Sequence, residues 1–390
     1  MTDVSIIPCP DYEASNLRKA LIDAFAPFGG FSMIKDGMTV AIKTNLVHAS
    51  KPEKAAITHP ALLAELTRLL VEAGAKVIVG DSPGGLYTAA AMANVYRVCK
   101  MDAIVEAGGE LNQDFSQETV EFPEGKVAKS FPFTSWLNKA DIVLNLCKLK
   151  THGMMGMSCA AKNLFGVVPG FSKPEFHYRY PNHLDFAGMI LDLGDYVKPT
   201  FSICDAVWGM EGNGPTGGTP RHIGCIMVSP SRHKLDLLGA TLIGLAPNDV
   251  PTLGIAVERG LAPANVDALE IYGDYKPFLI EDYHLIPTGE ATMFSTKNSK
   301  GLKKLVWFVA EKALASRPAV NRKQCIGCKK CAELCPAHTI AVIDGKAKIH
   351  KKDCIRCFCC QEFCPVSAIT VHRTFIAKIF CPESKTSKIK

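Results

Sequence analysis

No uninterrupted apolar run in this 390-residue chain approaches the roughly 20 residues that a membrane-spanning helix needs, so no span is expected. The opening stretch, MTDVSIIPCPDYE, lacks a basic leader followed by an apolar segment; no secretory signal is expected, and a cytoplasmic location is. The glycine-bearing segments Gly84–Gly85 and Gly209 to Gly218 fit neither G-x-G-x-x-G nor the P-loop spacing, so a nucleotide fingerprint is absent. Nor does the composition allow disorder, since 47% of residues are hydrophobic and only 21% charged. What remains is a globular protein long enough for two or three domains.

Cysteine is what the chain has in abundance, with 16 residues, and it is clustered. Ten fall in the last 66 residues, and without a secretion signal grouped thiols read as metal ligands rather than disulfides. Charge is uneven as well. Residues 318–390 hold 14 Lys plus Arg against 5 Asp plus Glu, a formal +9, which leaves about −3 for residues 1–317 of the +6 chain. A basic segment raises nucleic acid as a partner, but no recognition motif accompanies it, and none is expected. Two anionic iron–sulfur centres would offset part of the excess.

The run from Cys325 reads C-I-G-C-K-K-C-A-E-L-C-P, and the run from Cys354 reads C-I-R-C-F-C-C-Q-E-F-C-P. Both are C-x2-C-x2-C-x3-C-P, offset by 29 residues, with Glu333 matching Glu362 and Ile340 matching Ile369: an internal duplication. Each half reads as a cysteine loop, a helical turn and a strand, with Asp344-Gly345 as a hairpin signal between them. Three thiolates in a tight loop can each reach one corner of a cubane, and the fourth cysteine, turned away by proline, reaches the other half's cluster. The expected ligand sets are Cys325, Cys328, Cys331 and Cys364 for one 4Fe-4S cluster, and Cys354, Cys357, Cys360 and Cys335 for a second. Paired zinc sites are the alternative that thiolate chemistry allows. Cys359 stands where the first repeat has Lys330 and reads as a bystander, and Cys381 lies in the lysine-rich tail.

Residues 1–294 alternate helical and strand signals, the mark of an α/β domain: a mostly parallel sheet with helices on both faces, followed by a small α+β domain whose doubled cysteine run resembles that of bacterial two-cluster ferredoxins. Helices are expected over 11–28 and from Pro60, the latter capped by Thr58; strands are expected at 38–47, 76–80, 140–146, 200–205 and 225–229. Residues 295–317 read as a connector with a helix carrying Trp307 and Phe308, 318–375 as the ferredoxin domain, and 376–390 as a basic tail. Polar segments follow four strands, where open α/β sheets bind ligands. Lys148, Lys150, His152 and Lys162 form the densest, a positive site for a carboxylate, phosphate or enolate, with catalysis expected from these four. A lysine held beside two others has a lowered pKa. Lys43, Asn45, Asp81, Ser82, Asn163, Asp205 and Glu211 are the expected substrate-binding groups. The Gly209 to Gly218 stretch reads as a flap or a surface loop, and Lys173 to His183 as a lid or a plain connection. Cys147, Cys159, Cys204 and Cys225 match no ligand spacing and read as buried inert thiols.

Through I42-K-T-N-L-V, V79-G-D-S-P-G-G, V143-L-N-L-C-K-L-K-T-H, A161-K-N-L-F-G and D205-A-V-W-G-M-E-G-N-G-P, the chain resembles the family of domain of unknown function 362 joined to a C-terminal bacterial-type two-cluster ferredoxin. Thr44 replaces the proline that the family often has in the first block, leaving a less rigid turn. A remoter likeness, secured by no motif, is to lactate-racemase-type α/β proteins. The resemblance implies architecture more than reaction. The leading expectation is an iron–sulfur oxidoreductase in an anaerobic setting. It takes electrons from a soluble ferredoxin or reductase and passes them through two 4Fe-4S clusters to a small anionic substrate. A non-enzymatic electron carrier or cluster-delivery protein, and a non-redox lyase or isomerase with structural clusters, are the other two readings.

Overall fold

The computed structural model describes residues 2–286 and 316–372; the expected connector helix, the basic tail and Cys381 lie outside the described residues. From the N-terminus come β1 (Val4–Pro8), α1 (Ala14–Phe25), β2 (Thr39–Lys43), α2 (Pro60–Glu72), β3 (Lys76–Gly80), α3 (Ala89–Val98) and α4 (Asp102–Glu106). The short strands β4 (Glu110–Leu111), β5 (Gln117–Glu121) and β6 (Ser130–Thr134) precede the long β7 (Ile142–His152) and β8 (Gly156–Ser158). Then follow α5 (Ala160–Asn163), α6 (Ser172–Arg179), α7 (His183–Val197), β9 (Phe201–Glu211), β10 (Thr219–Ser229), α8 (Arg232–Leu242), α9 (Pro251–Glu258) and β11 (Ile271–Tyr272).

Nine strands form one sheet in the order β11-β1-β10-β9-β7-β2-β3-β4, with β8 paired to β7. The run β9-β7-β2-β3-β4 is parallel, and β10 is antiparallel to both of its neighbours, so the sheet is mostly parallel as the apolar strand runs imply. Period-two alternation divides its side chains between two layers. Val40, Ile42, Leu144, Leu146, Ile226 and Val228 pack with α1 and α2, while Cys147, Leu149, Cys204, Cys225 and Met227 pack with α8. Ala41 meets α7 on that second face through Phe186, Ala187 and Ile190.

Three local expectations change. The α2 cap is His59, whose side chain accepts from Ala61 N; Thr58 instead donates to the Leu146 carbonyl and accepts from Asn45 N, tying the turn after β2 to β7. The strands expected at 140–146 and 200–205 run on to His152 and Glu211, because β7 and β9 pair with each other past the ends of β2 and β3. Lys148, Lys150 and His152 are therefore strand residues, and the register Lys43 to Asn145 leaves them beyond the carboxyl end of β2. The 173–183 stretch is mostly the helix α6, not an irregular segment.

In the C-terminal part the duplication extends to the backbone. β12 (Arg317–Val320), a helical turn Lys330–Glu333 and β13 (Ile340–Ile343) recur 29 residues later as β14 (Lys346–Ile349), the turn Cys359–Glu362 and β15 (Ile369–His372). The halves exchange strands: β12 pairs with β15 and β13 with β14, both antiparallel. Left-handed backbone recurs at the same offset, at Gly327 and Arg356, Lys329 and Phe358, and His338 and Ser367.

Candidate functional site

The cysteine loops enclose two cavities. One is lined by Cys325, Cys328, Cys331 and Cys364, the other by Cys354, Cys357, Cys360 and Cys335, which are the two sets that the spacing assigns. The left-handed turns pull three thiols of each loop toward a common centre, and backbone amides approach sulfur: Ala347 N reaches Cys325 Sγ at 3.4 Å, Thr339 N reaches Cys335 Sγ at 3.4 Å and Ala368 N reaches Cys364 Sγ at 3.2 Å. Such N–H groups stabilise thiolate and sulfide charge, and on Cys325 they lower the thiol pKa. Four sulfurs around a cavity, with amides turned toward them, fit a cubane cluster. Cys359 lines the second cavity as a fifth thiol.

The second site forms where this domain meets the sheet. A cavity of about 60 Å³ is lined by Asn45, Lys150, Lys162, Lys173, His152 and His177 from the α/β side and by Glu362 and Phe363 from the second cysteine loop. Its volume holds a few waters or one small molecule. Phe358 is buried in the core beside α7, Gln361 donates to Asn213 Oδ1 at 2.7 Å, and Thr216 donates to the Glu362 carbonyl at 3.2 Å. The turn between β9 and β10, read from sequence as a flap or surface loop, thus grips the iron–sulfur domain.

Charge in the cavity is mostly positive. Lys150 Nζ donates to Asn45 Oδ1 at 2.8 Å and to the Ala56 carbonyl at 2.7 Å, neither an anion. Burial lowers its pKa to about 7, and Lys148 and Lys162 add to the fall while Glu362 opposes it. Lys173 donates to Ser82 Oγ at 2.9 Å and to the Val168 carbonyl, and burial lowers it to about 7 as well. Lys162 has no hydrogen-bond acceptor among the described residues; its ammonium lies over the rings of Phe165 and Phe186, 4.6 and 5.7 Å from their centroids. Burial lowers its pKa too.

His152 has a fixed tautomer. Nδ1 accepts from the amides of Met154 and Met155, so Nε2 carries the proton and faces Glu362 Oε1 at 2.9 Å. That contact is close but off the line of a full hydrogen bond, leaving both atoms open to a further partner. Burial alone would raise the Glu362 carboxyl; His152 and Lys162 more than reverse this and hold it to about 2. Among the described residues His177 Nδ1 is buried without a partner, its ring stacked on Phe186 at 4.3 Å.

Not every expected residue joins the cavity. Asn45, Asp81, Ser82, Lys150, His152, Lys162 and Asn163 line it. Lys43 lies directly behind, 2.7 Å from Asp81 Oδ1 and buried, so its role is to hold that carboxylate. Gly166 makes this possible: a Cβ there would meet Lys43 Nζ and Asp81 Oδ1 at 2.5 Å. Lys148 pairs instead with Asp205 at 2.9 Å and with the Tyr12 hydroxyl at 2.8 Å, a separate buried cluster next to the Tyr12–His59 stack. Glu211 ends β9 and accepts from His284 N, also away from the cavity. Sequence reading named Lys173 and His177 only as parts of a lid and missed Glu362 and Phe363. The Glu333/Glu362 match was visible, but nothing local shows that only the second glutamate is buried against lysines.

Among the described residues no helix is long and apolar enough to cross a membrane. Residues 40–241 match the family described as domain of unknown function DUF362, and residues 317–365 match the 4Fe-4S dicluster domain. The chain is 33% identical over 268 residues to the thylakoid-associated protein sll1697 of Synechocystis sp., covering 67% of this chain and 80% of that protein. The solved lactate racemase apoprotein from Thermoanaerobacterium thermosaccharolyticum is similar at a TM-score of 0.40 and 13% identity, over 63% of this chain and 58% of that one, less than two thirds of its length. With its family match spanning the lysine-bearing strands and its cysteine loops matched separately, this chain belongs to the DUF362 family and is an iron–sulfur protein carrying a 4Fe-4S dicluster domain.

Proposed function

We propose that the chain is an iron–sulfur oxidoreductase acting on a small anionic substrate, a carboxylate or phosphate, held in the cavity between the sheet and the second cysteine loop. Cys325, Cys328, Cys331 and Cys364 hold one 4Fe-4S cluster, and Cys354, Cys357, Cys360 and Cys335 hold the other. The clusters, when bound, supply single electrons. A soluble ferredoxin or reductase delivers them on the side of Cys328, the one exposed thiol among the eight proposed ligands. We place this activity in the cytoplasm.

One observation carries the reading. The cavity wall is shared between the lysines of the sheet and Glu362–Phe363, which stand in the chain between Cys360 and Cys364. A bound substrate is thereby in contact with the loop that supplies electrons. The chain's own groups do the rest. Lys162 and His177, buried without polar partners among the described residues, take the anion's oxygens, and Asn45 and Asn163 orient it. Lys150 or Lys173, each with a pKa of about 7, donates the proton that follows an electron to the substrate. A free carrier has no use for a buried ammonium without an acceptor, which favours this reading over simple electron carriage.

Anaerobic purification followed by mass spectrometry of retained small molecules tests it. A stoichiometric anion is expected in the wild type and none in Lys162→Ala, with iron equal in both. Material that is colourless, or that holds zinc in place of iron, refutes the reading.

A further inference from the structure

Three cysteines outside both sites meet in the core. Cys147 on β7 and Cys204 on β9 are register partners across a parallel pair, so their side chains leave the sheet on the same face. Cys159 arrives from the bend between β8 and α5. Its Sγ lies 3.7 Å from that of Cys147 and 3.6 Å from that of Cys204, and all three sulfurs fall within 4.8 Å of one another. All three residues are sealed from solvent. Spacings of 12 and 45 residues match no ligand pattern, which is why the sequence reads them as inert; the sheet register brings them together.

The separations decide the chemistry. A metal bonded to sulfur at ~2.3 Å holds neighbouring thiolates ~3.8–4.0 Å apart, whether tetrahedral or trigonal. Two of the three separations already stand within a few tenths of an ångström of that, and the third, between Cys147 and Cys204, is within 4.8 Å. A cubane places each thiolate on a separate iron and needs a wider ring than this, so a third cluster does not fit. A tetrahedral ion needs a fourth donor. The nearby Asp236 carboxylate is occupied, accepting from Ala160 N at 2.7 Å and Ala161 N at 3.1 Å, and all three cysteines are buried. Three soft donors with no fourth beside them suit a thiophilic d10 ion of low coordination number.

We propose that Cys147, Cys159 and Cys204 form a three-coordinate thiolate site for one copper(I) ion. Each thiol that becomes a ligand releases its proton to solvent, with no change in oxidation state. The bound ion ties β7, β9 and the start of α5, which between them carry Lys150, His152, Lys162 and Asn163. The site is independent of the oxidoreductase reading.

The test uses the full-length holoprotein with its iron in place. It is incubated anaerobically with copper(I) as the acetonitrile complex, then washed with a copper(I) chelator to remove loosely held metal. One chelator-resistant copper per chain is expected, with copper-edge X-ray absorption showing three sulfurs at ~2.3 Å. Cys147→Ser and Cys204→Ser should each lose that copper and keep their iron, while Cys225→Ser, a buried cysteine outside the trio, should keep both. Copper should also raise the melting temperature of the wild type but not of Cys204→Ser. No resistant copper, copper retained in both trio variants, or displacement of iron in proportion to copper overturns the proposal. If the serine variants do not fold, the absorption spectrum of the wild type decides alone, and a two-sulfur site or a four-ligand zinc site refutes it.

Discussion

A methyl group on Gly84 would stand 1.8 Å from Cε1 of Phe363. The turn after β3 is shaped to receive a ring from the second cysteine loop, and glycine is the one residue that leaves room. Gly84→Ala should destabilise the docked arrangement by about 1–3 kcal/mol, the usual cost of overpacking. Iron content should be unchanged, since no ligand is touched, while substrate reduction falls. Thermal unfolding and an iron assay on the same preparation check this. A variant with wild-type melting and turnover would show that the Phe363 contact is dispensable.

Two buried lysines should respond in opposite ways. Lys43 is paired with Asp81, so Lys43→Met strands a buried carboxylate and should cost about 3–5 kcal/mol. Lys162 has rings but no acceptor among the described residues, so Lys162→Met should cost little or even stabilise, while anion binding disappears. Denaturant titration of both variants, with calorimetry of phosphate or a small carboxylate, separates a positioning lysine from a binding one. If Lys162→Met is as destabilised as Lys43→Met, the ammonium is structural.

Lys150 and Lys173 make anion binding depend on pH. Burial depresses both to about 7, so each is largely neutral at pH 8 and an ammonium at pH 6. Anion affinity should therefore rise as pH falls through 7. The stability linkage has the matching sign. Between about pH 7 and the unfolded value near 10.5 the unfolded chain binds more protons, so the ligand-free protein gains stability as pH rises across that window. A bound anion should flatten the slope. Melting curves from pH 6 to 10, with and without phosphate, measure both effects.

The layers of the fold were legible because apolar strand runs and capped helices are local signals. So was the duplication, since thiol spacing is written in the chain. The ends of β7 and β9 were not: polar residues such as Lys148, Lys150 and Asp205 look like loop, and only mutual pairing beyond β2 extends them as strands. The site was half visible for the same reason. Lys150, His152 and Lys162 announce themselves by density, whereas the separation of Lys148 depends on its partner Asp205, 57 residues away. Glu362 depends on how one domain docks on the other, which no spacing encodes.

The duplication supplies its own control for that last contact. Glu333 and Glu362 occupy equivalent positions at the end of equivalent helical turns, yet Glu333 is exposed and Glu362 is buried against His152 and Lys162. Glu362→Gln keeps the shape and removes the charge that balances the cavity's cations, so docking should weaken by about 3 kcal/mol. With that negative charge gone, the cavity should also bind phosphate more tightly at pH 6, where the lysines are charged. Glu333→Gln should leave melting, iron and anion affinity within error of wild type, because an exposed carboxylate has water as its partner in both states. Equal effects from the two variants would mean that the glutamate serves the cysteine loop alone, and that the cavity is no shared site.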